Sequence, residues 1–337
     1  MMLSSFNSRF IRIADRYRIY LLALVVFAGM AMFAPKFFNL YNLTGILRGS
    51  SLNMMVAAGF TIVMICGELD LSIGSVLSLG AILTVGLKPY VGLGPALMIG
   101  VGAGAVAGLI NGLLVAKARI NSFIVTLGTM IILQGMIYHF SGGSSKSLTG
   151  ADDFKLGDFL EEPFLPLLAP RVLIGLLLIV GIELFLRNTR PGRGFYMVGA
   201  NKESAWFAGL NTGRYLVTAF MISGTLAALG GALFALSISS ATTDLGASSL
   251  MDVIAATIIG GTSMAGGKGG VLRSAVAVMM FATLFNGLDC FGVPNEIKIC
   301  VSGMLLAVVV LTEAMAATQR LREKGRKPEL MRKVVRG

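Results

Sequence analysis

Histidine is nearly absent from this chain. His139 is the only one among 337 residues, so a metal site built on several histidines cannot be assembled, and no nucleophile–base–orienter set stands out around it. It falls at the end of an apolar run and reads as an interfacial structural residue. Cysteine is scarce too. Cys66, Cys290 and Cys300 are odd in number, no two have metal-ligand spacing, and each lies in or beside an apolar run, where a thiol packs as a small hydrophobe. Charge is the third shortage: Asp, Glu, Lys and Arg make up 13% of the chain and hydrophobic residues 55%, against roughly 25% charged in soluble domains. That balance implies an integral membrane protein with many spans. An open sheet in lipid is excluded because its edges would go unsatisfied. A β-barrel would alternate in segments of about 10 residues, whereas the apolar runs here are long and unbroken. What remains is an all-α, polytopic helical membrane protein.

What is abundant fits that class. The 43 glycines suit helices that approach closely in lipid. The net charge of +11 is clustered at the N-terminus (Arg9, Arg12, Arg16, Arg18), in a central loop, and at the C-terminus (Arg320, Arg322, Lys324, Arg326, Lys327, Arg332, Lys333, Arg336). Basic residues placed so mark cytoplasmic flanks of a membrane protein and contact with anionic lipid; nucleic acid is not an expected partner.

The apolar runs predict about ten transmembrane helices. After a cytoplasmic segment at 1–18 come spans near 19–34, 45–66, 71–87, 94–116, 122–140 and 171–186, which form an N-terminal transmembrane half at 19–187. A cytoplasmic loop at 188–214 follows. Spans near 215–238, 250–264, 272–290 and 297–314 make a C-terminal half at 215–314, and a basic cytoplasmic tail occupies 315–337. With ten spans and the N-terminus inside, 67–70, 117–121, the central loop, 266–273 and the C-terminus face the cytoplasm. The loop at 141–170 carries Asp152, Asp153, Asp158, Glu161 and Glu162 against Lys146 and Lys155, and lies outside.

Two stretches interrupt the spans. Cys66-Gly-Glu-Leu-Asp-Leu-Ser-Ile-Gly-Ser75 places Glu68 and Asp70 between apolar runs with no basic residue nearby. Carboxylates at membrane depth are costly and mark water-lined paths; a cytoplasmic turn with Asp70 or Ser72 capping the next helix is the equally weighted reading. Asp244-Leu-Gly-Ala-Ser-Ser-Leu-Met-Asp252 interrupts the second half in the corresponding place. Paired interruptions of this kind point to two inverted repeats with broken helices, and to a translocation pathway beside them. Glu68, Asp70, Ser72, Asp244, Ser248 and Asp252 are its candidate residues.

No energy source is visible. A phosphate-binding loop needs G-x-x-x-x-G-K-[ST]. In Gly261-Thr-Ser-Met-Ala-Gly-Gly-Lys-Gly269 five residues separate Gly261 from Gly267-Lys268, and Gly269 stands where Ser or Thr is required. The chain reads as no enzyme and assigns itself no catalytic residue, metal or cofactor. Energy therefore comes from an ion gradient or from a partner. The central loop, with a short helical pattern at Asn201–Leu210 and Trp206, Phe207 and Leu210 to one side, is the surface where a partner could grip.

Three blocks carry a resemblance. GELDLSIGS at 67–75, GRGFYMVGANKESAWFAGLNTGRY at 192–215 and LGASSLMDVIAATIIGGTSMAGGKGGVLRS at 245–274 together resemble permease subunits of bacterial ABC importers of the ribose and monosaccharide type. The blocks occur in the family's order and span most of residues 40–313. The resemblance implies a multi-pass protein of the bacterial inner membrane, both termini cytoplasmic. It also implies a cytoplasmic ATP-binding subunit that holds the ATP, a periplasmic or lipid-anchored sugar-binding protein, and a second permease subunit, identical or paralogous. Residues Gly199, Asn201, Glu203, Ala205, Trp206, Phe207, Gly209 and Leu210 would dock on the ATPase. The chain departs from the family pattern at Glu68, where glycine is usual, and near Trp206, where alanine or arginine is frequent. Two rivals remain: an ion-coupled secondary transporter using Asp70 or Glu68, and the permease of a branched-chain amino-acid ABC importer.

Overall fold

The structure, a computed structural model, describes residues 2–164, 168–311 and 315, with the side chains of 2–16, 151–153 and 248 excluded. The chain is a polytopic bundle of helices: α1 (Met2–Phe33), α2 (Leu40–Ile65), α3 (Ile73–Val91), α4 (Leu93–Ala116), α5 (Ser122–Ser141), α6 (Ala151–Glu161), α7 (Pro170–Asn188), α8 (Arg190–Ala200), α9 (Lys202–Phe207), α10 (Thr212–Ser237), α11 (Leu245–Ile259) and α12 (Val271–Cys290). Residues 295–311 are also helical. Two-residue strands β1 (Lys146–Ser147) and β2 (Ser240–Ala241) pair antiparallel.

A helix lies at each of the ten apolar runs. Six helices (α2, α3, α4, α5, α10 and α12) are long and apolar enough to cross a membrane by themselves, and α7 with α8 forms a pair bent by 75°. The apolar part of α1, Tyr17–Phe33, and α11 are shorter. The basic tail beyond 315 and the side chains of Arg9, Arg12 and Arg16 lie outside the described residues.

The core sits around α10, which packs most extensively on α4, α3 and α2. Small residues make this possible. On α4, glycines recur every fourth residue, and three of them meet α10 backbone directly. A Cβ at Gly104, Gly108 or Gly112 would lie 2.4 Å from the Gly224 carbonyl, 2.2 Å from the Phe220 carbonyl and 2.7 Å from the Val217 Cα. Such contacts stand in for the hydrophobic drive that lipid removes.

The outer loop at 141–170 holds an element the apolar pattern does not reveal. Helix α6 has little apolar content, and its last residue, Glu161, is clamped between Arg48 of α2 at 3.5 Å and Arg171 of α7 at 2.7 Å. Arg171 is buried; it also donates to Ser237 and to the Arg48 carbonyl, and lies over the Phe234 ring. This cluster pins α6 to the bundle end opposite α8 and α9.

Candidate functional site

The first break turns from the surface into the core within a few residues. Helix α2 ends at Cys66, Gly67 takes the left-handed φ of 78° that glycine tolerates, and Glu68 stays at the bundle end. Its carboxylate pairs with Lys202, the first residue of α9. The expected absence of a basic partner is thus overturned. Lys202 lies 134 positions along the chain, beyond any local reading.

Two residues further on, Asp70 is 1% exposed. Its Oδ1 accepts from the Ser72 amide at 3.1 Å and the Ser72 hydroxyl at 2.6 Å, and its Oδ2 from the Ser223 hydroxyl of α10 at 3.0 Å. Asn111 of α4 donates to the Ser72 oxygen at 2.9 Å, and Thr129 of α5 donates to Asn111 at 2.6 Å. The break's own backbone is met as well: Ser122 and Thr126, one turn apart on α5, accept from the amides of Leu69 (3.2 Å) and Leu71 (3.1 Å). Non-helical backbone at this depth survives only when its polar groups are satisfied inside the protein. Ser72 is the N-cap of α3, but its hydroxyl makes no cap bond; the Asp70 carboxylate takes the amide instead. None of the described cavities is lined by Asp70 or Ser72.

The second break meets the first. Helix α11 begins at Leu245, so Ser248 and Asp252 are inside a helix rather than in the interruption, and the side chain of Ser248 lies outside the described residues. Gly246 crosses Gly74 in the first turn of α3. A Cβ at Gly246 would lie 1.8 Å from the Gly74 carbonyl oxygen, and the Gly246 amide donates to Ser78 at 2.9 Å. Beside this crossing is a cavity of about 540 Å³ lined by Ser75, Gln134, Tyr138 and Asp244 among apolar residues. Gln134 donates to the Thr243 carbonyl at 3.0 Å, tying α5 to the second break. On the other side of α11 a cavity of about 470 Å³ is lined by Asp252, Asn295, Lys298 and Ser302 with Met251 and Phe285. Asp252 accepts from Ser302, and Lys298 pairs with Asp289. Ser75, Gln134, Tyr138 and Ser302 were not picked out in the sequence because they are uncharged polar residues dispersed through apolar helices.

The central loop is helical over most of its length. Thr189 caps α8 by accepting from the Gly192 amide at 3.0 Å, with a proline in the first turn, and Asn201 caps α9 by accepting from the Ser204 amide at 2.7 Å. Three glycines seat α8 against its neighbours. Gly192 abuts the Phe185 carbonyl, Gly194 the Tyr215 ring, and Gly199 the end of α2, where a Cβ would lie 1.7 Å from the Ile65 carbonyl oxygen. Ala205 is buried, anchoring α9. Glu203 is exposed and Leu210 half-buried; Gly209, at φ 83°, ends the turn. Trp206 is 63% exposed and Phe207 80% exposed, stacked edge to face at 5.1 Å.

The first break, the α4–α5 turn, the loop at 260–270 and α8–α9 converge at one bundle end, where Gly267 donates to the Ile65 carbonyl at 2.8 Å and Gly199 packs on both.

Known proteins resemble this chain along most of its length. It is 31% identical over 297 residues to the ribose import permease protein RbsC of Escherichia coli (strain K12), covering 86% of this chain and 91% of that protein. It is 32% identical over 280 residues to the ribose import permease protein RbsC of Bacillus subtilis (strain 168), covering 83% and 86%. With the autoinducer 2 import system permease protein LsrD of Escherichia coli O9:H4 (strain HS) it shares 31% over 266 residues, 78% and 80% of the two chains. No solved structure matches. Residues 42–310 match the family described as the permease component of the branched-chain amino acid transport system, and the chain belongs to that family.

Proposed function

We propose that this protein is the membrane-spanning permease subunit of an ATP-binding-cassette importer that carries a sugar, in particular a monosaccharide, across the bacterial inner membrane. The observation that carries the reading is the exposed Trp206–Phe207 pair on a short helix whose other side is fixed to the bundle. Aromatic side chains left bare on a rigid mount make anchors for a partner. Because no phosphate-binding loop is present, that partner is a separate ATPase subunit, which holds the ATP. Lys202–Glu68 ties the same helix to the first break, so a push on α9 reaches the core.

The remaining parts follow from this reading. The chain crosses ten times with both termini in the cytoplasm, and the halves at 19–187 and 215–314 are inverted relatives joined by the coupling segment at 188–214. A second permease subunit completes the pathway, and a sugar-binding protein delivers substrate from outside. The crossing of Gly74 and Gly246, one from each break, supports the pairing of the halves. The substrate path runs along the two cavities beside α11, with Gln134, Tyr138, Asp244 and Asp252 offering hydrogen bonds to sugar hydroxyls. The sugar reading draws on the relatives named for ribose. An ion-coupled transporter using Asp70 is less well supported, since that carboxylate is saturated by Ser72 and Ser223 and faces no described cavity.

The test is reconstitution in proteoliposomes. With the ATPase subunit and the sugar-binding protein, labelled ribose enters only when ATP is supplied. Uptake by this chain alone under a proton or sodium gradient would overturn the proposal.

A further inference from the structure

Glu183 is a buried carboxylate that the sequence hides inside an apolar run. It lies in the penultimate turn of α7, just before the 75° bend into α8, and lines none of the described cavities. Its Oε2 accepts from the backbone amides of Val271 at 2.7 Å and Leu272 at 3.2 Å, the first two residues of α12. Its Oε1 pairs with Arg187 one turn on. A carboxylate inside an apolar bundle is costly unless its charge is met. Here a guanidinium, two amides and the positive end of the α12 dipole meet it.

The placement links elements that no local contact in the sequence would join. The second half of the loop at 260–270 and the start of α12 are held at three successive points by the arm that carries the coupling segment. Gly199 of α8 packs on Gly267 and on the Ile65 carbonyl to which Gly267 donates. The Tyr196 hydroxyl of α8 donates to the Gly269 carbonyl at 3.4 Å. Glu183 then grips the first turn of α12. The loop and the start of α12 are thus strapped to the α7–α8 elbow. This strap shares no residue with the Lys202–Glu68 pair, which leads to the first break.

We infer that Glu183 is a positioning residue that makes α12 move with the α7–α8 elbow when the coupling segment is displaced, a second transmission arm beside Lys202–Glu68. The inference rests on the reading of α9 as the surface on which an ATPase acts. Since α12 borders the cavity that holds Asp252 through Phe285, this arm carries displacement to the second break's side of the pathway.

The experiment compares Glu183→Ala with Glu183→Gln in the full chain, by two readouts. In Gln a carboxamide oxygen can still accept both amides; in Ala nothing does. For the first readout, spin labels are placed at Glu203→Cys on α9 and Met279→Cys on α12, with Cys290 and Cys300 changed to Ser. Their distance distribution in the purified protein is expected to be narrow for the parent and for Gln, and broad for Ala. For the second, vesicles with the ATPase and the sugar-binding protein are expected to show sugar moved per ATP hydrolysed falling about fivefold or more for Ala, the scale of a typical coupling free energy. ATP hydrolysis itself persists, and Gln stays near the parent. A narrow distribution for Ala, or an unchanged ratio of sugar to ATP at reduced protein yield, would overturn the inference by leaving Glu183 a merely structural cap. If parent vesicles take up sugar without ATP, the transporter reading fails instead, and the label distances alone decide the linkage.

Discussion

The two interruptions of the bundle use similar residues and end in opposite states. At 66–72 each amide and carboxylate oxygen described above has an internal partner, the amides of Leu69 and Leu71 on α5 hydroxyls and the Asp70 carboxylate on Ser72 and on Ser223 of α10; Asn111 of α4 in turn donates to the Ser72 hydroxyl, and no described cavity touches Asp70. At 238–246 Asp244 is exposed and borders a cavity. Acidic residues in a broken helix therefore do not by themselves mark a pathway. The difference lies in the neighbours. Ser122, Thr126 and Ser223 stand where the first break needs acceptors and donors, while the second break leans on Gln134 and a two-stranded pairing of β1 with β2. The first is a knot, the second a wall of an open space.

The largest effect should come from untying the knot. Asp70→Ala orphans the hydroxyls of Ser72 and Ser223, at about 1–3 kcal/mol for each unsatisfied buried group, so the thermal midpoint in detergent should fall sharply. Asp70→Asn keeps an acceptor and should lose less. If Asp70→Ala unfolds like the parent but transports nothing, Asp70 belongs to the pathway and the comparison collapses. Next comes the point where the breaks touch. Gly246→Ala drives a methyl against the Gly74 carbonyl, overpacking worth about 1–3 kcal/mol or more, and should lower both the midpoint and uptake. The converse change on the open side, Asp244→Asn, should leave the unfolding free energy within about 0.5 kcal/mol, as for an ordinary surface substitution, yet alter the apparent affinity for sugar. An unmoved affinity would remove that cavity from the path. The smallest effect belongs to the Lys202–Glu68 pair, half open to solvent on the lysine side. A double-mutant cycle with Lys202→Ala and Glu68→Ala should give a coupling of about 0.2–1 kcal/mol in stability, weakened by salt.

Much of this was legible from the chain alone. Long apolar runs placed the six helices long and apolar enough to cross a membrane, because length and hydropathy are set by the bilayer. The glycines forecast close helix contacts, and the short helical pattern at Asn201–Leu210 contains α9. What was hidden was long-range. Glu68 looked unpaired because Lys202 is remote, and Glu183 was lost within an apolar run because its partners are the amides of a distant helix. Helix α6 escaped because its stabilising cluster, Arg48 and Arg171, is drawn from two other helices. Helix α8 escaped because Gly192, Gly194 and Gly199 disfavour a helix locally while permitting its close seat in the fold.

The central claim is that energy enters at α9 from another subunit. Its most direct test is the variant Trp206→Ser with Phe207→Ser, assembled with the ATPase and the sugar-binding protein in vesicles, with sugar moved per ATP as the readout. The account predicts that the ATPase subunit dissociates from the membrane, or hydrolyses ATP without uptake, since such anchors are worth about 2 kcal/mol or more each. Full retention of the ATPase with an unchanged ratio of sugar to ATP would contradict it.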